Sequence, residues 1–148
     1  MPLRPILLAE DNPNDVELTL NALHAAKLAN EVIVVRDGAQ ALDWLLRRGP
    51  YANREPEVPA VVLLDLKMPK LGGEEVLAQM RQHAELRTLP VVILTSSREE
   101  SDLCKCYDLG ANAYVVKPVE FDEFISAVGK LGVFWAVLNE PPPTARVR

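Results

Sequence analysis

Four short apolar runs in this chain each stop at a particular polar residue. Glu10-Asp11 follows Ile6-Leu7-Leu8-Ala9, Asp65 follows Val61-Val62-Leu63-Leu64, Thr95 follows Val91-Val92-Ile93-Leu94, and Lys117 follows Tyr114-Val115-Val116. Apolar runs without alternation fit strands buried on both faces, as happens when helices cover both sides of a parallel sheet. In open sheets of that kind the ligand site lies beyond the carboxyl ends of the strands. Three carboxylates, a hydroxyl and a lysine all fall at those ends. The sequence therefore predicts a single acidic pocket there.

A fifth run, Glu31 to Val35, completes the strands, and helical periodicity separates the runs in a βαβ alternation. Asn12 can cap a first helix with Pro13 at its first position, and Val16, Leu20 and Leu23 form its inward stripe. That helix is expected over Pro13 to Ala29. Asp37-Gly38 opens a second helix, with Asp37 read as its cap and Ala41, Leu42, Leu45 and Leu46 facing the sheet. Gly49, Pro50, Pro56 and Pro59 make residues 48 to 59 a loop longer than the usual connection, either a partner surface or a tolerated insertion. Further helices are expected from Gly73 to Gln82, Arg98 to Leu109 and Glu120 to Leu131. Right-handed crossovers then give an α/β, doubly wound, five-stranded parallel sheet of order 2-1-3-4-5, the flavodoxin-like arrangement. This order makes neighbours of the four strands that carry polar residues. Strand two, ending in Val35-Arg36, is left at the edge.

Composition narrows the function classes. The 148 residues suit one domain burying about two-thirds of its unfolded surface. A formal net charge of -5, with acids and bases mixed, provides no basic stripe for a nucleic acid. No stretch has the apolar length of a signal peptide or a membrane span, so the expected location is the cytoplasm, without membrane association. Cys104 and Cys106 diverge around a helix and read as structural thiols, while His24 and His83 lack a second ligand at metal spacing and read as solvated or capping.

Glu10, Asp11 and Asp65 at adjacent strand ends repel one another, by about 4 kcal/mol for two unit charges about 4 Å apart at a surface-like dielectric. A divalent cation resolves the conflict, and hard oxygen ligands suit Mg²⁺, with Mn²⁺ possible, better than zinc. The whole pattern, together with Met68-Pro69, Gly72-Gly73, Ser96 after Thr95 and Gly110-Ala111, closely resembles the receiver domain of bacterial response regulators over Ile6 to Leu131. That resemblance implies two-component signalling in which Asp65 is the phosphoacceptor, taking the phosphoryl group from a phosphohistidine on a sensor histidine kinase. It further implies that Asp11 and Asp65 coordinate the metal directly, Glu10 mainly through water, and Lys67 through its backbone carbonyl. Lys117, aimed into the pocket by a cis bond to the following Pro118, would pair with Asp65 and then with the phosphoryl oxygens, and Thr95 would donate its hydroxyl. Tyr114 occupies the switch-aromatic position. The receiver domain is expected over residues 1–132.

Three phrases, Glu10 to Asp15, Gly49 to Pro56 and Phe134 to Pro142, look like the stand-alone regulators paired with bacterial phytochrome kinases. The chain would then be a non-enzyme that catalyses only its own phosphorylation and dephosphorylation, with output through protein contacts. Alternatives are a phosphate sink or phosphorelay intermediate, a degenerate receiver, and an aspartate-nucleophile phosphatase of the haloacid-dehalogenase type. The last needs an acid two residues after its nucleophile, where this chain has Lys67. Residues 133–148 form an apolar arm and a Pro-rich tail. Phe134, Trp135 and Leu138 are expected to bury against a second copy in a homodimer, each large side chain contributing about 1.5–3 kcal/mol.

Overall fold

The computed structural model describes residues 4–25, 30–55, 58–96, 105–117 and 122. Five parallel strands, β1 (Ile6–Ala9), β2 (Val32–Val35), β3 (Val61–Asp65), β4 (Val91–Thr95) and β5 (Ala113–Val116), form one sheet of order β2-β1-β3-β4-β5. The doubly wound order expected from the alternation is the one observed. Side chains of successive strand residues point to opposite faces. Leu7, Ala9, Val62, Leu64, Val91 and Ile93 therefore join one core, and Ile6, Leu8, Val61, Leu63, Val92 and Leu94 another. Both faces are apolar, which is why the strands show no alternation in sequence.

Helix α1 (Pro13–Ala25) starts at Asn12, whose Oδ1 accepts from the backbone N–H groups of Asn14 at 2.8 Å and Asp15 at 3.1 Å. Val16 and Leu23 seat it on one face. Its expected continuation over 26–29 lies outside the described residues. On the other face lie α2 (Gly38–Leu46) and α3 (Gly73–Gln82). Asp37 caps α2 as expected, accepting from Gln40 N at 2.7 Å. Strand β2 begins one residue later than expected, at Val32, although Glu31 O still accepts from Ile6 N at 2.8 Å.

Residues 48–55 are tied down rather than loose. A 3₁₀ turn at Gly49–Tyr51 leads to Arg54, whose guanidinium carbon lies 3.6 Å from the Trp44 ring centroid and whose Nε donates to Trp44 O at 2.7 Å. The connection from α3 through a second 3₁₀ turn (Ala84–Leu86) to β4 is held by Arg81. Its Nη1 reaches the carbonyls of Leu86 at 3.0 Å, Arg87 at 3.0 Å and Leu89 at 2.9 Å, and its Nη2 the carbonyl of Gly110 at 2.6 Å. Residues 105–108 are helical, consistent with the expected fourth helix, and Cys106 is fully buried in the core. The fifth helix, the Lys117-Pro118 bond, Cys104 and the tail residues Phe134, Trp135 and Leu138 lie outside the described residues.

Candidate functional site

Strand register brings the polar residues together. Ala9 pairs with Leu64 and Asp65 with Leu94, so Glu10 and Asp11 continue from β1 beside the end of β3. One carboxylate oxygen from each of Glu10, Asp11 and Asp65 falls in a group whose members all lie within 4.8 Å of one another. Glu10 and Asp65 are buried and Asp11 is exposed. Thr95, also buried, closes β4, and its carbonyl accepts from Lys117 N at 2.7 Å. The end of β5 is thereby fixed to the end of β4.

The loop after β3 comes close to the site because two glycines let it. A Cβ on Gly73 would collide with the Asp65 carbonyl oxygen and lie 2.9 Å from Leu66 Cα, so only glycine lets α3 begin against the end of β3. A Cβ on Gly38 would likewise strike the Leu71 carbonyl, where the same loop crosses the start of α2. Gly73 N donates to Leu66 O at 2.8 Å, and Glu75 accepts from Gly72 N at 3.2 Å. The loop also walls a cavity of about 280 Å³ lined by Leu66, Lys67, Gly72, Glu74 and Glu75, with Lys67 exposed.

Lys117 spans the pocket. Its Nζ lies 2.6 Å from Glu10 Oε1, 3.0 Å from Asp15 Oδ2 and 3.2 Å from Asp65 Oδ1. Burial opposes its charge, but hydrogen bonds to Glu10 and Asp15 and the charges of Asp65 and Glu10 outweigh it and push the ammonium up to about 12. The opposite holds for Asp65. Burial first, then the Glu10 charge, pushes its carboxyl from 3.8 up to about 7 against the pull of Lys117. A buried, mutually repelling set of oxygens with one exposed member is a fit for a hard divalent cation such as Mg²⁺ or Mn²⁺.

The structure thus gathers Glu10, Asp11, Asp65 and Lys117 at one point and places Thr95 on the adjoining strand end. Tyr114 is half-buried, packed against the core beside Tyr107, with ring centroids 6.4 Å apart. Asp15 is the contact the sequence reading missed. Its signal was its place in the first turn of the helix that leaves the acidic pair.

Residues 6–129 match the family model described as the response regulator receiver domain. Response regulator Rcp1 of Synechocystis sp. is 37% identical over 134 residues, spanning 90% of this chain and 90% of that protein. Among solved structures, the bacteriophytochrome response regulator RtBRR is 64% identical, with a TM-score of 0.86 over 97% of this chain and 86% of that one. The Mn²⁺-bound form of response regulator Rcp1 is 36% identical, with a TM-score of 0.74 over 90% of this chain and 94% of that one. Fold, acidic pocket and sequence agree: the chain belongs to the response regulator receiver domain family.

Proposed function

We propose that this chain is a stand-alone regulator of a phytochrome-type sensor histidine kinase and accepts a phosphoryl group on Asp65. The observation that carries the reading is the convergence of Glu10, Asp11 and Asp65 within 4.8 Å, with the Lys117 ammonium 3.2 Å from Asp65. Similarity to a bacteriophytochrome regulator and to an Mn²⁺-bound one supports the kinase class and the metal.

In the transfer, an Asp65 carboxylate oxygen attacks the phosphorus of a phosphohistidine. A P–O bond forms, the P–N bond breaks, and the electron pair returns to the imidazole, which is then protonated. Asp65 must be ionised to attack. Lys117 favours that form, and burial and Glu10 oppose it. The chemistry a divalent cation supplies in this pocket, held by Asp11, Asp65, Glu10 and the Lys67 carbonyl, is neutralisation of the carboxylate and phosphoryl charges. Lys117 and the Thr95 hydroxyl receive the phosphoryl oxygens, and Tyr114 then turns inward as Thr95 draws its loop toward the site. The chain turns over only its own phosphoryl group and sends its signal through protein contacts.

The net charge of -5 argues against a nucleic-acid partner. Among the described residues no helix is long and apolar enough to cross a membrane. The apolar arm at 133–138 favours a homodimer through Phe134, Trp135 and Leu138. Sedimentation of the full chain against a version ending at Gly132 tests it, and a monomeric full chain rules the arm out. The phosphoacceptor is tested by intact mass spectrometry after acetyl phosphate and Mg²⁺. One phosphoryl gain is expected in the wild type, none in Asp65→Asn, and none with EDTA; an unchanged gain in Asp65→Asn removes the assignment.

A further inference from the structure

The Lys117 ammonium has three donors and meets three carboxylates, Glu10 at 2.6 Å, Asp15 at 3.0 Å and Asp65 at 3.2 Å. Two of these, Glu10 and Asp65, belong with Asp11 to the acidic group that fits a cation, and Asp65 is also the proposed nucleophile. Their oxygens are claimed by other chemistry as the reaction proceeds. Asp15 stands outside that group. Of these three carboxylates among the described residues, it is the one whose contact can persist while the other two change.

Asp15 is also well anchored for that task. Its backbone N–H is held by Asn12 Oδ1 at 3.1 Å in the first turn of α1, where the helix dipole favours a carboxylate. Val16, the next residue, is buried against the sheet. Lys117 is fixed at its other end by the bond from its backbone N to Thr95 O at 2.7 Å. The lysine is therefore stretched between β4 and α1, with its side chain only 11% exposed and that of Asp15 30% exposed.

We propose that Asp15 is a positioning residue for phosphoryl transfer: it holds the Lys117 ammonium on the α1 side, aims its remaining donors at Asp65, and limits its competition with a cation for Glu10 and Asp65. This rests on the reading of Lys117 as the lysine that meets the phosphoryl group. Without Asp15 the ammonium falls wholly onto Glu10 and Asp65. It then neutralises the oxygens a cation needs and loses the tether that orients it.

The test uses the full chain with Asp15→Ala and Asp15→Asn, each alone and combined with Lys117→Ala. Mn²⁺ affinity is read by electron paramagnetic resonance of the free ion, and phosphorylation rate with acetyl phosphate at saturating Mg²⁺. Asp15→Ala is expected to weaken Mn²⁺ binding and slow phosphorylation, each by about threefold or more, as for directly contacting residues. Asp15→Asn keeps an acceptor oxygen and should lose less. In the Lys117→Ala chain, Asp15→Ala should change Mn²⁺ affinity by less than about twofold, because the group it acts through is gone. Equal effects in both backgrounds, or no effect of Asp15→Ala on either readout, overturn the proposal. If Lys117→Ala alone phosphorylates at the wild-type rate, the role of the lysine itself is wrong. A slow Lys117→Ala beside a normal Asp15→Ala removes only the role of Asp15.

Discussion

Replacing Asp65 with asparagine keeps the size of the side chain and removes its charge, and in metal-free solution above neutrality the change should stabilise the fold. Burial and the neighbouring Glu10 push the Asp65 carboxyl from 3.8 to about 7. Below 3.8 the folded and unfolded chains both hold this proton, and the group's contribution to stability is fully present. Between there and about 7 the unfolded chain has released the proton while the folded chain still holds it, so stability falls as pH rises. One proton is worth about 1.4 kcal/mol per pH unit, which puts a ceiling of about 4 kcal/mol on the loss over this interval. The pull of the Lys117 ion pair is already contained in that shift, and Glu10 shares the burden of the proton, which reduces the gain. We expect the stability of Asp65→Asn relative to wild type to rise by about 2 kcal/mol between about pH 5 and about pH 8. Urea denaturation in EDTA, followed by far-ultraviolet circular dichroism, measures it. Adding Mg²⁺ at a hundredfold excess over its Kd should return about 2.7 kcal/mol to the wild type and less to the variant, which lacks a ligand. A difference between the two chains that is the same at both pH values would refute the reasoning.

Gly73→Ala should destabilise the chain by about 1–3 kcal/mol in urea, because the new methyl meets the Asp65 carbonyl and Leu66 Cα, and it should also weaken Mn²⁺ binding by moving the loop. Arg81→Lys keeps the charge but cannot reproduce a fork that reaches four carbonyls, so the melting temperature should fall by about 3–8 °C, whereas an unchanged value would mean the clamp is idle. Thr95→Ala should still gain a phosphoryl group at Asp65 yet lose the amide chemical-shift changes that beryllofluoride produces around residues 105–117; retention of those shifts would disprove the switch.

The sheet was legible because β1, β3 and β4 are buried on both faces and the partly buried β2 and β5 are still apolar, so each strand carries an unbroken apolar run ending where the pleat meets the loop. Capping at Asn12 and Asp37 was legible for a similarly local reason, a short acceptor side chain placed before a periodic stretch. Trp44 was overlooked in the stripe of α2, although it is buried and carries Arg54 over its ring. A cation–π pair across ten residues leaves no periodic trace. The same is true of Arg81: an arginine in the last turn of a helix reads as solvated, and only the folded path of residues 86–89 and 110 supplies its carbonyl acceptors. What sequence hides here is contact between elements made by long polar side chains, because chain spacing does not encode it.

The candidate site divides along the same line. Glu10, Asp11, Asp65, Thr95 and Lys117 were visible because each ends a strand, and the strand order makes their ends neighbours. Asp15 is on a helix, and its tie to Lys117 spans 102 positions of sequence. In the proposed role of Asp15, that tie sets how the visible residues share charge. Four carboxylates stand around or beside one ammonium, and the three that touch it are held at different depths, Glu10 fully buried, Asp65 nearly so, and Asp15 at the rim. Because Lys117 N is bonded to Thr95 O, a lysine drawn toward Asp65 pulls on the same strand end that presents the Thr95 hydroxyl. The two groups proposed to meet a phosphoryl oxygen are therefore mechanically joined, and α1 holds the other end of the lysine. A change of charge at Asp65 is expected to reach β4 and β5 through that backbone bond and α1 through Asp15.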